Sequence, residues 1–242
     1  MLIFLPTYNE AGNVEDMLQR IQATGIAADV LFLDDASTDG TGEIIDRLAA
    51  GHDSVFAMHR EGKLGVGSAH LAGIRRAYDE GYRILVTMDS DFVHMPEDMP
   101  RFLVASEASD IVVGTRFRKK ESLAEWNLFR KTLSHLGHLL TRLLLRHDYD
   151  ATGAFRLYRL DRIDRVAFDL VRTRDYEFFF TSLTILHLNG YRITEVPILL
   201  PGRVYGTSKM QLKHMVKGVL VMVRLGLVRA LFRHRLLLRK GS

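Results

Sequence analysis

Three short segments concentrate side chains able to do chemistry: Pro6-Thr-Tyr-Asn-Glu10, Asp34-Asp35-Ala-Ser-Thr-Asp39-Gly and Asp89-Ser-Asp91. Two carboxylates at i and i+2 in one turn can both reach a hard divalent cation, which takes oxygen ligands and keeps positions open for water or a substrate's phosphates. Asp89 and Asp91 have that spacing. Clustered acids repel one another, so several of them in one place require cations or hydrogen-bond donors nearby. They either cap helices, as Asp39 would ahead of Thr41, or surround a site for a cation and a polar ligand. Gly62-Lys-Leu-Gly-Val-Gly67-Ser is a glycine-rich loop entering a helical pattern. It lacks the Gly-Lys-Ser/Thr of a P-loop. It serves either close backbone packing at a helix start or approach to a nucleotide. No convincing Ser-His-Asp arrangement is present. The absence of cysteine excludes disulfides, zinc–thiolate sites, iron–sulfur clusters and thiol nucleophiles.

The elements that must position these groups alternate. Apolar runs at residues 2–5, 30–33, 54–58, 84–88 and 111–113 have the length of buried strands. Between them, 14–23, 41–50, 66–78 and 96–105 carry apolar residues at helical spacing. This predicts an α/β fold, a mostly parallel sheet with helices on both faces. The acidic segments then follow the first, second and fourth strands, at the carboxyl edge where such sheets bind ligands. No glycine fingerprint for a dinucleotide follows the first strand. Further on, 123–146 is a long leucine- and arginine-rich helical stretch, 148–153 a loop, and 161–171 and 177–188 helical. Residues 193–197 form a candidate late strand. Residues 210–238 read as a terminal helix or helix pair, weakened at Gly218 and Gly226.

With 242 residues, 47% hydrophobic and 26% charged, the chain has globular rather than disordered composition. Its net charge of +4 is unevenly divided. Residues 196–242 hold ten Lys or Arg and no acid, leaving 23 basic and 29 acidic residues before them. A basic tail on a mildly acidic body points to an anionic surface, nucleic acid or lipid headgroups, unless it is simply a solvated helix. The N-terminus has no basic region and no small-residue cleavage site, so a cytosolic location is expected. A membrane span over 215–232 is disfavoured: Arg224 near its middle costs about 2.5–3.5 kcal/mol, against about 0.3–0.6 kcal/mol returned by each large apolar residue. An amphipathic helix lying in the interface suits the composition better.

Taken in order, the three acidic segments resemble family 2 glycosyltransferases of GT-A fold. Further segments narrow the resemblance to the polyprenyl-phosphate (dolichyl-phosphate) mannosyltransferase branch. They are Gly114-Thr-Arg116-Phe, Trp126 with Arg130 and Ser134, Thr152-Gly-Ala-Phe-Arg156, Glu195-Val-Pro-Ile and Arg203-Val-Tyr-Gly-Thr-Ser-Lys209. The similarity runs over residues 4–220. It implies that Pro6, Tyr8, Glu10, Asp35 and Asp89 line the nucleotide pocket, and that Asp89 and Asp91 hold Mg2+ or Mn2+ on the diphosphate. It implies that Arg116, Arg130 and Ser134 receive the acceptor phosphate, and that Arg203 and Lys209 guard the donor diphosphate. Where relatives often carry a glutamine as a further metal ligand, this chain has Val93 followed by His94, a candidate substitute. Glu177 would support the site from behind. Arg156 and Arg159 read as structural, satisfying the acidic 148–150 loop, and His135 and His138 as packing residues.

The implied reaction is inverting transfer of mannose from GDP-mannose to a polyprenyl monophosphate, with Mg2+ or Mn2+. UDP-glucose or another nucleotide sugar is the alternative donor. The chemistry agrees with the residues: a phosphate monoester with a second pKa near 6 is already nucleophilic at neutral pH and needs no general base. Arginines such as Arg116 and Arg130 suit a planar, directional phosphate grip. A catalytic domain over 1–208 and a basic, amphipathic membrane-interface segment over 209–242 are expected, docked on the cytoplasmic face of an anionic membrane. A nucleic-acid-binding module, the competing reading of the tail, leaves the aspartate-lined strand ends without a purpose, so no nucleic-acid partner is expected.

Overall fold

The computed structural model describes residues 1–123, 126, 128–201 and 212–239, the side chains of Lys120, Phe129, Arg130 and Leu212 excepted. The five expected strands are present: β1 (Leu2–Thr7), β2 (Asp29–Asp34), β3 (Val55–His59), β4 (Ile84–Thr87) and β5 (Ile111–Thr115). Two more, β6 (Arg156–Arg159) and β7 (Ile193–Pro197), complete a seven-stranded sheet ordered β3-β2-β1-β4-β6-β5-β7. All pairings are parallel except those of β6, which runs against both β4 and β5. Within each strand, alternate residues enter two separate apolar layers. Leu2 and Phe4 of β1 face one layer, Ile3 and Leu5 the other. A sheet buried on both faces needs no polar face, so its strands read as continuous apolar runs.

One layer is closed by α1 (Val14–Ala23), α2 (Thr41–Gly51) and α4 (Met99–Ser106), through residues such as Met17, Ile45 and Phe102. The opposite layer is closed by α3 (Val66–Asp79), the short α6 (Val166–Asp169) and α7 (Glu177–Leu188). α7 is buried from Glu177 through Leu186, nearly all round, as its apolar composition requires. The 123–146 stretch resolves into α5 (Leu128–Leu140), continued by a π-helical turn over Thr141–Leu145. The terminal stretch forms one helix, α8 (Leu212–Leu231), rather than a pair. Gly226 does not break it, because a side chain there would approach the Leu144 carbonyl at 3.1 Å. The glycine permits close helix contact, and packing outweighs its cost of about 1 kcal/mol. No helix among the described residues is long and apolar enough to cross a membrane.

β6 did not register as a strand in the sequence because arginines open and close it. Arg156 is nonetheless fully buried. Its guanidinium donates to the carbonyls of Ala151 (2.9 Å), Gly153 (3.0 Å) and Phe179 (2.8 Å), so it holds the backbone of the loop before β6. The expected pairing with the acids of that loop is therefore corrected. Asp150 pairs with Arg116, Asp148 with Arg142, Arg118 and His138, and Arg159 with Asp161.

Candidate active site

Strand order reverses at β1, with β2 and β3 on one side and β4 on the other, and that switch point opens a crevice at the carboxyl edge. A cleft of about 370 Å³ lies there. Its walls include Pro6, Tyr8 and Glu10 after β1, Asp35 after β2, and Asp89, Ser90 and Asp91 after β4. The sequence-expected nucleotide and metal residues are thus brought together. The turns that present them are cross-tied. Asn9 N–H donates to Ser37 Oγ (2.8 Å), Thr38 N–H to Asn9 Oδ1 (2.9 Å) and Ala11 N–H to Asp39 (3.1 Å). Asn9, Ala36 and Phe92 adopt positive φ, one in each of the three loops. Left-handed backbone outside glycine costs energy and concentrates where a loop must hold an unusual shape.

Burial pushes the Asp35 carboxyl up, opposed by the Arg60 guanidinium that pairs with it. Arg60 also donates to Ser68 Oγ (2.7 Å) and the Gly65 carbonyl (3.3 Å), fastening Asp35 to the glycine-rich loop. Asp39 behaves differently. Burial opposes its ionisation, yet hydrogen bonds from Thr41 and Ala11 hold its pKa below the usual range. It accepts from Thr41 N–H (3.1 Å) at the start of α2, so it ties turns together outside the cleft lining.

The glycine-rich loop packs closely at a helix start and also walls the cleft. Gly65 lines the cleft at a φ of 94°. A Cβ on it would overlap the Asp175 carboxylate and meet the Arg174 carbonyl at 2.6 Å. Gly67 is equally close to the Asp175 carbonyl, at 2.5 Å. The loop is therefore pressed onto the segment entering α7. That segment and α8 supply cleft residues that sequence reasoning missed: Asp175, Tyr176, Lys213 and His214, with Lys63 from the loop itself. Lys217, one turn beyond Lys213, pairs with Asp175 and lies 3.1 Å from Glu177, an acid almost wholly buried at the start of α7. Asp175 raises the Lys217 pKa. No single motif announced these residues; the i, i+4 lysines on a helix read as tail charge.

Asp89 and Asp91 present an oxygen-only donor pair from one turn, which fits Mg2+ or Mn2+ with phosphates and waters completing the shell. No group of three or more His, Asp or Glu converges among the described residues. His94 does not take the missing ligand's place through Nδ1, because that nitrogen accepts the Asp89 N–H at 3.0 Å. The imidazole instead packs on Phe155, with ring centres 5.4 Å apart.

Arg116 follows β5 on the same edge but is not among the residues lining the cleft. β5 lies two strand positions from β4, about 10 Å across the sheet. Asp150 orients it, accepting from its Nε (2.8 Å) and its backbone N–H (3.0 Å). The adjacent Phe117 stacks on His138 of α5 at 4.1 Å and packs near His135 at 5.5 Å. Ser134, half-buried, precedes His138 by one turn, and Arg130 occupies the next position on the same helical stripe. The Arg130 side chain, and Arg203 and Lys209 altogether, lie outside the described residues.

The description of a known family, "Glycosyl transferase family 2", matches residues 2–166, which contain all three acidic turns. The chain belongs to that family. Over 228 residues it is 37% identical to the undecaprenyl-phosphate mannosyltransferase of Micrococcus luteus, covering 94% of each chain. Over 212 residues it is 35% identical to the polyprenol monophosphomannose synthase of Mycolicibacterium smegmatis, covering 86% of this chain and 80% of that one. Among solved structures, a mannosyltransferase from Pyrobaculum calidifontis in complex with GDP-Man and Mn2+ shares the fold at a TM-score of 0.54 and 20% identity. It covers 84% of this chain and 58% of that one. The mannosyl-3-phosphoglycerate synthase of Rubrobacter xylanophilus aligns at 0.61 and 15% identity, over 100% and 76% of the two chains. This family 2 glycosyltransferase therefore has the GT-A-like nucleotide-sugar transferase fold.

Proposed function

We propose that this family 2 glycosyltransferase moves mannose from GDP-mannose to a polyprenyl monophosphate, giving polyprenyl-phosphate mannose and GDP. The observation that carries the reading is the pairing of two features on one sheet edge. An acid-lined cleft lies at the β1/β4 switch point, and an Asp150-oriented arginine stands two strands away. Pro6, Tyr8, Glu10 and Asp35 would hold the nucleoside, with Asp35 fixed by Arg60. Asp89 and Asp91 would hold Mg2+ or Mn2+, which supplies positive charge to the diphosphate as it leaves. Lys63 and Lys213 line the same cleft and bring cations to that charge. Arg203 and Lys209 are proposed to guard it as well.

Arg116, with Arg130 and Ser134, would grip the acceptor phosphate. A phosphate oxygen attacks the anomeric carbon as the bond from that carbon to the GDP oxygen breaks. The electron pair leaves with GDP, and in-line geometry inverts the centre. No proton need be removed from a dianionic phosphate, so the reaction calls for no general base. The acceptor's lipid chain calls for a membrane-facing side. Leu136, Leu139 and Leu143 on α5 and its extension, and Val216, Leu220, Leu227 and Leu231 on α8, are exposed beside exposed Arg142 and Arg224. Each buried methylene contributes about 0.8 kcal/mol, enough over two helices for peripheral attachment to an anionic membrane. The domain division at 209 is proposed in this functional sense.

The test is a donor panel with a short-chain polyprenyl phosphate and Mn2+. GDP-mannose should give lipid-linked mannose, with UDP-glucose and UDP-N-acetylglucosamine far slower. Preferred turnover of a UDP-sugar would replace the donor. Transfer to a soluble saccharide but not to the lipid would replace the acceptor.

A further inference from the structure

We propose that Arg146, Arg229 and Arg233 form a discrete binding site for the phosphate of an anionic lipid headgroup, separate from the catalytic cleft. The inference rests on the membrane attachment proposed above and adds a specific contact to it.

Three cationic side chains are gathered where α8 crosses the end of the π-helical turn. Gly226 lies against Leu144, which brings Arg229, one turn further along α8, to the level of Arg146. Arg233 follows Arg229 by four residues. The turn that carries it is fixed to the body through Asn189, which donates to the Leu236 carbonyl (2.8 Å) and accepts the Leu238 N–H (2.7 Å). None of the three arginines has a carboxylate partner among the described residues, and Arg229 Nε is buried without any partner. The nearest acid in sequence, Asp148, is taken by Arg142 (2.9 Å), His138 (3.4 Å) and Arg118 (3.7 Å). Beyond residue 195 the chain has no acid at all. Like charges so arranged destabilise the free protein, and an anion with several acceptor oxygens is the chemistry that relieves them.

Two observations point the same way. Among the described residues, four non-glycine residues adopt positive φ; three are in the loops at the cleft and the fourth is Arg146, at 56°. It caps the π-helical turn where glycine or asparagine would fit without strain. The Arg229 pKa is lowered by burial and then by Arg146 and Arg233, and that of His187 by burial and then by Arg229 and Arg233, so these groups share one field. Arg229 is about 22 Å along α8 from His214 of the cleft, by the rise of a helix. Exposed Leu143, Leu227, Leu231 and Phe232 accompany it on the same elements. A phosphate held there with acyl chains against those residues suits a lipid headgroup better than a free ion.

Binding of the full chain to phosphatidylcholine vesicles with and without phosphatidylglycerol tests this. Arg146→Gln and Arg229→Gln should each lower phosphatidylglycerol-dependent binding about 30-fold, with the double variant scarcely worse than either, because the two act as one site. Arg224→Gln, an equal charge removed from the same helix, should cost only the about fivefold expected of diffuse attraction. Arg229→Gln and Arg146→Gly should melt no lower than the parent chain, since each removes repulsion or strain. Equal losses for all three single variants, multiplying in combination, would overturn the discrete site while leaving membrane attachment intact. Binding loss accompanied by a lower melting temperature would assign a structural role instead. Vesicle binding abolished by millimolar inorganic phosphate, with phosphate stabilising the parent chain but not Arg229→Gln, would make it a free-ion site. No affinity of the parent chain for either vesicle would overturn both this site and the membrane reading.

Discussion

Arg116 is bonded twice to one oxygen of Asp150, from its Nε at 2.8 Å and its backbone N–H at 3.0 Å. Asp150 is itself buried, and its own N–H donates to Glu195 (2.7 Å), so a chain of fixed contacts aims the guanidinium from behind. Using Nε for Asp150 leaves both Nη groups without a carboxylate among the described residues. The proposed grip on the acceptor phosphate would use those Nη groups.

Asp150→Asn should therefore act on the acceptor. A neutral amide weakens the hold on Nε, and kcat/KM for the polyprenyl phosphate should fall about tenfold while GDP affinity stays within about twofold. Steady-state kinetics with each substrate varied, beside a GDP titration, separate the two.

Asp91→Asn should reduce turnover about 100-fold and weaken the dependence on Mn2+, since one of two charged oxygen donors is lost. A metal titration of initial rates measures this. Full activity of the variant in saturating Mn2+ and in chelator alike would remove the metal assignment.

Gly65→Ala should cost about 2–3 kcal/mol, because it combines a left-handed backbone with overlap on Asp175. Gly62→Ala, with nothing within 4 Å of the added methyl, should be near neutral. Thermal melts of the pair distinguish loop packing from loss of glycine flexibility in general.

Two buried imidazoles predict acid sensitivity. His70 sits among Phe4, Phe178 and Phe179 with neither ring nitrogen hydrogen-bonded, and His147 meets Thr184; burial pulls both pKa values down to about 3. Each is neutral in the fold and takes up a proton near pH 6.5 once unfolded. Their stability contribution is intact above about pH 6.5 and declines as pH falls toward 3, by roughly 2 kcal/mol per histidine at pH 5. His70→Leu should flatten the decline in melting temperature between pH 7 and pH 5. An unaltered slope would mean that His70 is already protonated in the fold.

Much of this was legible because the carboxyl-edge residues follow apolar runs that can only be buried strands. Five strands and the acidic residues that follow β1, β2 and β4 came directly from that pattern, whereas Pro6 and Tyr8 were singled out by the family resemblance. β6 did not, since Arg156 is satisfied by carbonyl oxygens that only the folded loop supplies. Nor did the partner of Arg116, because Asp148 and Asp150 are equivalent in sequence and only the pairing of β6 between β4 and β5 separates them. The terminal helix was read as a membrane element from its charge. Lys213 and His214 also wall the cleft, so deleting residues 210–242 would remove part of the cleft wall along with the basic surface.

The most direct measurement is transfer by Arg116→Ala, with GDP-mannose, Mn2+ and a short-chain polyprenyl phosphate, alongside GDP binding. The expected result is a fall of about 100-fold or more in kcat/KM for the acceptor with GDP affinity within about twofold of the parent. An unchanged acceptor dependence, or a matching loss of GDP affinity, would contradict the assignment of this arginine to the acceptor phosphate.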